Sequence, residues 1–222
     1  MRVLYGCAFA LLVVASFVRP AMAGGSEPVT IECPSDDHAQ ALIDQSQGIA
    51  TRPSKHELVL HVGRNAIHLK EEPPYDQAGS ESYTYCGKVL DYVLVSHYGD
   101  SQWLGSLYRL DSGKEQPAGY KVLFSPDRRY YLAFTEGDGV AAEILTLYTI
   151  DGKKLWEGES LIDHYDDTST VFDNIHWNEA DVIEASIKCA RKMRGTVKLV
   201  QQGDTWNWAP LPPGCKLQDP EQ

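Results

Sequence analysis

Histidines and carboxylates at short spacing are where chemistry in this chain would first be sought. The run Leu58 to Val62 alternates apolar and polar residues, and Gly63-Arg64-Asn65 turns it back into Ala66 to Leu69. With Arg64-Asn65 as a two-residue hairpin loop, His61 and His68 face each other across two strands. Such a pair needs a third ligand to hold a metal ion. The stretch His56-Glu57-Leu58-Val59-Leu60-His61 resembles a zinc-protease motif but separates its histidines by five positions, whereas two ligands on one helix face need four. A second cluster, Asp163-His164-Tyr165-Asp166-Asp167, is followed by Asp173 and His176. Bunched carboxylates suit a hard cation, so Asp163, Asp166 and Asp167 join His61 and His68 as candidate metal ligands, although no EF-hand spacing is present. The simpler reading is a solvated loop in which Asp163, Tyr165, Asp166, Asp167 and Asp173 offer a contact surface to a basic partner.

Nucleophilic catalysis finds little support. There is no G-x-S-x-G turn, and Ser96 and His97 are strand neighbours whose side chains point to opposite faces. Paired carboxylates for glycoside hydrolysis remain open, because an acidic chain offers many and their geometry is invisible in sequence. No cofactor motif occurs, and none is expected.

The charge balance sets the class of partner. Lys and Arg number 20 against 31 Asp and Glu, a formal charge of −11 over 222 residues. Nucleic-acid binding needs clustered cations and is excluded as an expectation. Residues 1–23 read as a secretory signal peptide: Arg2, an apolar run from Val3 to Val18, then Ala21-Met22-Ala23 before Gly24. Their removal takes away Arg2 and Arg19 but no acidic residue, so the exported chain is more acidic still and has no membrane anchor. The expected location is periplasmic or secreted. Cys33, Cys86, Cys189 and Cys215 then remain, an even number suited to two disulfides, with three pairings open. Cys33–Cys86 and Cys189–Cys215 are favoured, since each would staple a terminal segment to nearby sheet.

The elements that must position these residues are mainly strands. Ser35 is a suitable N-cap, Ala39, Leu42 and Ile43 share a helix face, and Gly48 can end that helix. Thr51 to Lys55 reads as loop. From Glu57 onward, short β-branched and aromatic runs alternate with Gly, Asp and Pro turns, with breaks expected at Gly87-Lys88 and a strand at Val182–Cys189. The expected layout is an N-terminal segment with a short helix over 24–56, a β-domain over 57–209 and a Pro-rich tail over 210–222 pinned by a disulfide.

A partial repeat runs through the β-domain. Leu107-Tyr108-Arg109-Leu110-Asp111-Ser112-Gly113-Lys114 recurs as Leu147-Tyr148-Thr149-Ile150-Asp151-Gly152-Lys153, and Phe124-Ser125-Pro126-Asp127 has a looser echo in Trp177-Asn178-Glu179-Ala180-Asp181. The stretch from Val122 to Phe134, followed by Leu147 to Trp156, resembles a blade of the WD40-like and TolB-like β-propellers. That family usually places Gly after its Ser-Pro-Asp turn, where this chain has Arg128-Arg129. The resemblance implies an all-β fold, a small or incomplete propeller of short antiparallel strands, with a curved β-sandwich as the alternative. It implies no activity.

The function expected from these features is binding. An exported, acidic, aromatic-rich protein without catalytic motifs suits capture of a basic exported protein, as an inhibitor or immunity protein for an enzyme or toxin. Tyr83-x-Tyr85-Cys86-Gly87 resembles a stretch of periplasmic lysozyme inhibitors, whose Ser-Gly-x-x-Tyr loop this chain lacks, so none of their residues is carried over. The alternatives are a cell-envelope hydrolase with paired carboxylates and a metal or small-ligand binding protein.

Overall fold

The computed structural model describes residues 28–34, 36–75, 80–99, 102–136, 143–162, 169–190 and 192–217. The expected signal peptide lies outside them. A short strand β1 (Val29–Glu32) precedes the helix α1 (Asp36–Gln45), whose Ile43 is buried while Leu42 packs at the rim of the same core. The helix ends where Gln47 and Gly48 take positive φ, 55° and 84°.

Four antiparallel sheets follow one another along the chain. The first holds β2 (Ala50–Ser54), β3 (Glu57–Val62) and β4 (Asn65–Lys70). The second holds β5 (Ser82–Val89), β6 (Tyr92–Gly99), β7 (Gln102–Arg109) and β8 (Glu115–Ala118). The third holds β9 (Lys121–Phe124), β10 (Tyr130–Glu136), β11 (Glu143–Thr149) and β12 (Lys154–Glu159), with β1 added beside β9. The fourth holds β13 (Leu161–Ile162), β14 (Thr170–Trp177), β15 (Ile183–Cys189), β16 (Lys192–Gln202) and β17 (Thr205–Ala209).

Side-chain alternation explains how the sheets stack. On β6, Tyr92 and Leu94 point to one core while Val93 and Val95 point to another. On β10, Tyr131 and Ala133 face the core shared with the second sheet, and Leu132 and Phe134 face the fourth. The two middle sheets are therefore apolar on both faces. The end sheets are apolar on one. On β15, Ile183, Ala185, Ile187 and Cys189 are buried, while Glu184, Ser186 and Lys188 face outward. On β3, Leu58, Leu60 and Val62 are buried on one face, and the opposite face carries the buried Val59 and the exposed His61.

Among the described residues, three apolar cores thus join four sheets, and none joins the fourth to the first. Among the described residues the sheets do not close into a ring, so a closed propeller is not formed, and the outer face of the fourth sheet carries Glu184 and Lys188. A two-sheet sandwich is not formed either. Edge strands β2 and β8 carry Pro53 and Pro117, which withhold a backbone donor from any incoming strand.

The segments quoted for a blade fold as one sheet, β9 to β12. Both copies of the repeat occupy the third strand of their sheet and the turn after it, β7 in the second and β11 in the third. The looser echo marks the β9–β10 and β14–β15 turns, which touch: the Asp127 backbone N–H donates to the Asp181 carboxylate at 2.8 Å.

Local differences from the sequence reading have simple causes. Thr51 to Ser54 is strand rather than loop, paired irregularly with β3. Gly87, with φ 121°, makes a bulge inside β5 rather than ending it, and the hairpin turns at Leu90-Asp91. Disulfides Cys33–Cys86 and Cys189–Cys215 tie the segment after β1 to β5 and the C-terminal tail to the end of β15. Two disulfides suit an oxidising, extracytoplasmic environment. Among the described residues, no helix is long and apolar enough to cross a membrane.

Candidate functional site

Two glycines, Gly105 on β7 and Gly119 between β8 and β9, make close backbone contacts where the second sheet leads into the third. A Cβ on Gly105 of β7 would lie 2.2 Å from the Gly119 carbonyl oxygen, and a Cβ on Gly119 would lie 1.7 Å from that of Phe134. Only residues without side chains permit this backbone contact. Beside the pinch lies an open cleft of about 660 Å³ that includes Gly105 itself. Gln116, Thr146, Tyr148 and Glu157 line it, with Glu115 and His97 among the residues on the second-sheet side.

Register places these groups. Gln116 lies opposite Leu107, so it shares the face of β8 that looks toward the third sheet. Thr146 lies opposite Glu157 across β11 and β12, and its hydroxyl is 3.5 Å from that carboxylate. Lys154 Nζ is 3.2 Å from Glu157. Ser106 Oγ donates to Glu115 at 2.6 Å. The Asp151-Gly152 turn closes the wall: a Cβ on Gly152 would sit 3.3 Å from Gln116 Cγ.

Gln116 is only 3% exposed, and its Oε1 has no hydrogen-bond partner. The Tyr92 hydroxyl donates to the Ile150 carbonyl at 3.2 Å.

Carboxylates also gather around Tyr83, at the edge of the core between the first and second sheets. Burial pushes the Tyr83 phenol above its ordinary range, and Glu81, Glu115, Glu71 and Glu72 raise it further. Tyr108, buried in the adjoining core, is raised for the same first reason, with Glu115 adding to it. The His97 ring stacks on Tyr83 at 4.8 Å, with Nε2 3.9 Å from Glu81 and no hydrogen bond. Arg52 opposes this charge, donating to the Tyr83 carbonyl at 2.6 Å and lying 4.0 Å from Glu71.

The residues singled out from sequence lie elsewhere. His61 is opposite Ala66 and His68 opposite Val59, so the two do not face each other directly. The hairpin loop is Gly63-Arg64 rather than Arg64-Asn65, because Gly63 adopts φ 65° against the Ser112 backbone, where a Cβ would lie 2.7 Å away. His61 instead approaches Thr51 Oγ1 at 3.2 Å, and His68 approaches Glu57 at 2.7 Å. Asp163, Tyr165, Asp166 and Asp167 fall outside the described residues. Asp173 lies on the outer face of the fourth sheet and is ion-paired with Lys188. Among the described residues, no group of three or more His, Cys, Asp and Glu is placed to hold a metal ion.

Sequence reasoning missed Glu115, Gln116 and Glu157. The four-residue strand that carries Glu115 and Gln116 contains proline and shows no alternation, and a buried glutamine leaves no motif. The one available signal was the Asp151-Gly152 turn, already marked by the repeat. No family model, curated protein or solved structure matches this chain.

Proposed function

We propose that this is a periplasmic or secreted binding protein, cleaved after Ala23, that captures a basic exported protein as an inhibitor or immunity protein. The observation that carries the reading is the gathering of four carboxylates, Glu71, Glu72, Glu81 and Glu115, around the half-buried Tyr83 at the edge of the core between the first and second sheets. A concentrated negative field accelerates encounter with a basic surface, and a tyrosine adds apolar contact area. The net charge of −11 points the same way. The blade-like sheets serve as a scaffold in this reading, holding the acidic side rigid.

The test is stoichiometric capture from extracytoplasmic fluid at low and moderate salt, beside a variant with Glu71, Glu72, Glu81 and Glu115 changed to Gln. A basic partner held by the native protein and released by the variant is the expected result. Equal retention by both, or no stoichiometric partner, sinks the proposal.

A second reading has one observation in its favour: Glu115 and Glu157 line the same cleft. A cell-envelope hydrolase would use such a pair as acid and base or nucleophile. Turnover of peptidoglycan fragments, abolished by Glu157→Gln, would move the assignment to that class.

A further inference from the structure

We infer that the uncovered edge of β16, from Lys192 to Thr196, is a docking edge for an extended acidic segment of another protein, which adds there as a short strand. This surface lies on the fourth sheet and does not depend on the carboxylates around Tyr83. β16 is 11 residues long, but its two neighbours cover it unequally. β15 pairs with it from Lys192 to Leu199, whereas β17 reaches only from Gln202 to Lys198. The strand therefore continues past the end of β17 with one edge unpaired. A two-residue turn joins Gln202 to Thr205, so Gln202, Val200 and Lys198 direct their backbone groups toward β17. By the same alternation, Thr196 directs its N–H and carbonyl to the open side. Lys192 through Thr196 are all exposed, Met193 at 58%, and a Cβ on Gly195 would meet no atom of the described residues within 4 Å.

An extended peptide completes such an edge: its main chain supplies the missing partners, and side-chain contacts set its identity. Charge sets the identity here. On the same sheet Lys188 pairs with Asp173 and Lys198 with Glu184, while Lys192 and Arg194 have no carboxylate partner among the described residues. These two cations also disfavour a second copy of the same edge, because like charges would meet across the new ladder. A strand carrying Glu or Asp removes that conflict, and Met193 gives it an adaptable apolar contact.

The experiment titrates the native protein with the end-blocked hexapeptide Glu-Val-Glu-Thr-Glu-Val, following backbone amides by NMR. Its analogue with Gln for every Glu is the neutral control. Saturable shifts at Met193 and Thr196, slower exchange of the Thr196 N–H, and weaker binding of the control are expected. Thr196→Pro removes the open-side donor, a change that edge strands tolerate, and should weaken binding about fivefold. Lys192→Gln combined with Arg194→Gln, at exposed positions, should weaken it by about the same factor. Absence of any saturable shift, or affinity unchanged by Thr196→Pro, overturns strand addition. Affinity unchanged by the charge variant, or equal binding of the neutral control, overturns the acidic occupant. So does self-association in sedimentation that Thr196→Pro abolishes, which assigns the edge to a second copy.

Discussion

Arg128 holds φ 61°, in the left-handed region where a side chain costs about 1–2 kcal/mol. Leu90 and Asp181 adopt the same conformation in the matching turns of the second and fourth sheets. Propeller blades usually place Gly after the Ser-Pro-Asp turn, so Arg128 departs from that residue type while keeping the backbone that type serves. Arg128→Gly removes the steric cost and loses a 3.1 Å bond to the Ser125 carbonyl. The expected net is a stabilisation of up to about 1 kcal/mol, read by calorimetry. Arg129→Gly, at a position without positive φ, should destabilise. Asp127 in the same turn titrates below its ordinary 3.8: partial burial opposes this, but hydrogen bonds from the Arg129 backbone, Ser125 and the Arg129 side chain outweigh it. A depressed folded pKa gives stability that is present above 3.8 and lost as pH falls through the lower folded value. Asp127→Asn should therefore cost more at neutral pH than at pH near 3, measured by urea midpoints across that range.

At the scale of elements, the pinch between the second and third sheets makes the sharpest demand. Gly119→Ala forces a Cβ against the Phe134 backbone, which cannot yield as a flexible side chain would. A loss of about 3 kcal/mol is expected, with the cleft reshaped, and urea unfolding measures it. Breaking either disulfide acts through the unfolded chain instead. For separations of 53 and 26 residues, chain entropy gives a cost of about 3–4 kcal/mol each, larger for Cys33–Cys86. Cys33→Ser with Cys86→Ser should lower the denaturation midpoint more than Cys189→Ser with Cys215→Ser. Much of this level was legible in sequence. Tyr92 to His97 and Tyr130 to Thr135 declared themselves by β-branched and aromatic content, and the short helix by its Ala39, Leu42 and Ile43 face. A strand expected from Val89 to His97 instead runs through the Leu90-Asp91 turn. Register was less legible. One glycine pressed against a remote turn moved the His61–His68 hairpin, and nothing in Gly63-Arg64-Asn65 itself names Ser112 as its neighbour. The cleft was hidden for a related reason, since it is made where separate hairpins meet.

For the whole molecule, the open row of four sheets needs two faces that refuse further stacking. The fourth sheet meets this with a lattice of charge: Glu184 pairs with Lys198 at 3.1 Å and lies 4.0 Å from His176, and Lys188 pairs with Asp173. Polar outer faces cap repeat arrays in this way. Glu184→Val combined with Lys188→Val should produce concentration-dependent association in light scattering, while either change to Gln should not. The early strand β1 adds a property of another kind. Val29 pairs with Phe124, so this strand joins a sheet whose other strands follow the first two sheets in the chain. Cys33 bonds Cys86 at a separation of 53 residues, so the cross-link ties the end of β1 to the second sheet while its strand partner lies in the third. The cross-link thus shortens the loop that must close to seat β1 in the third sheet.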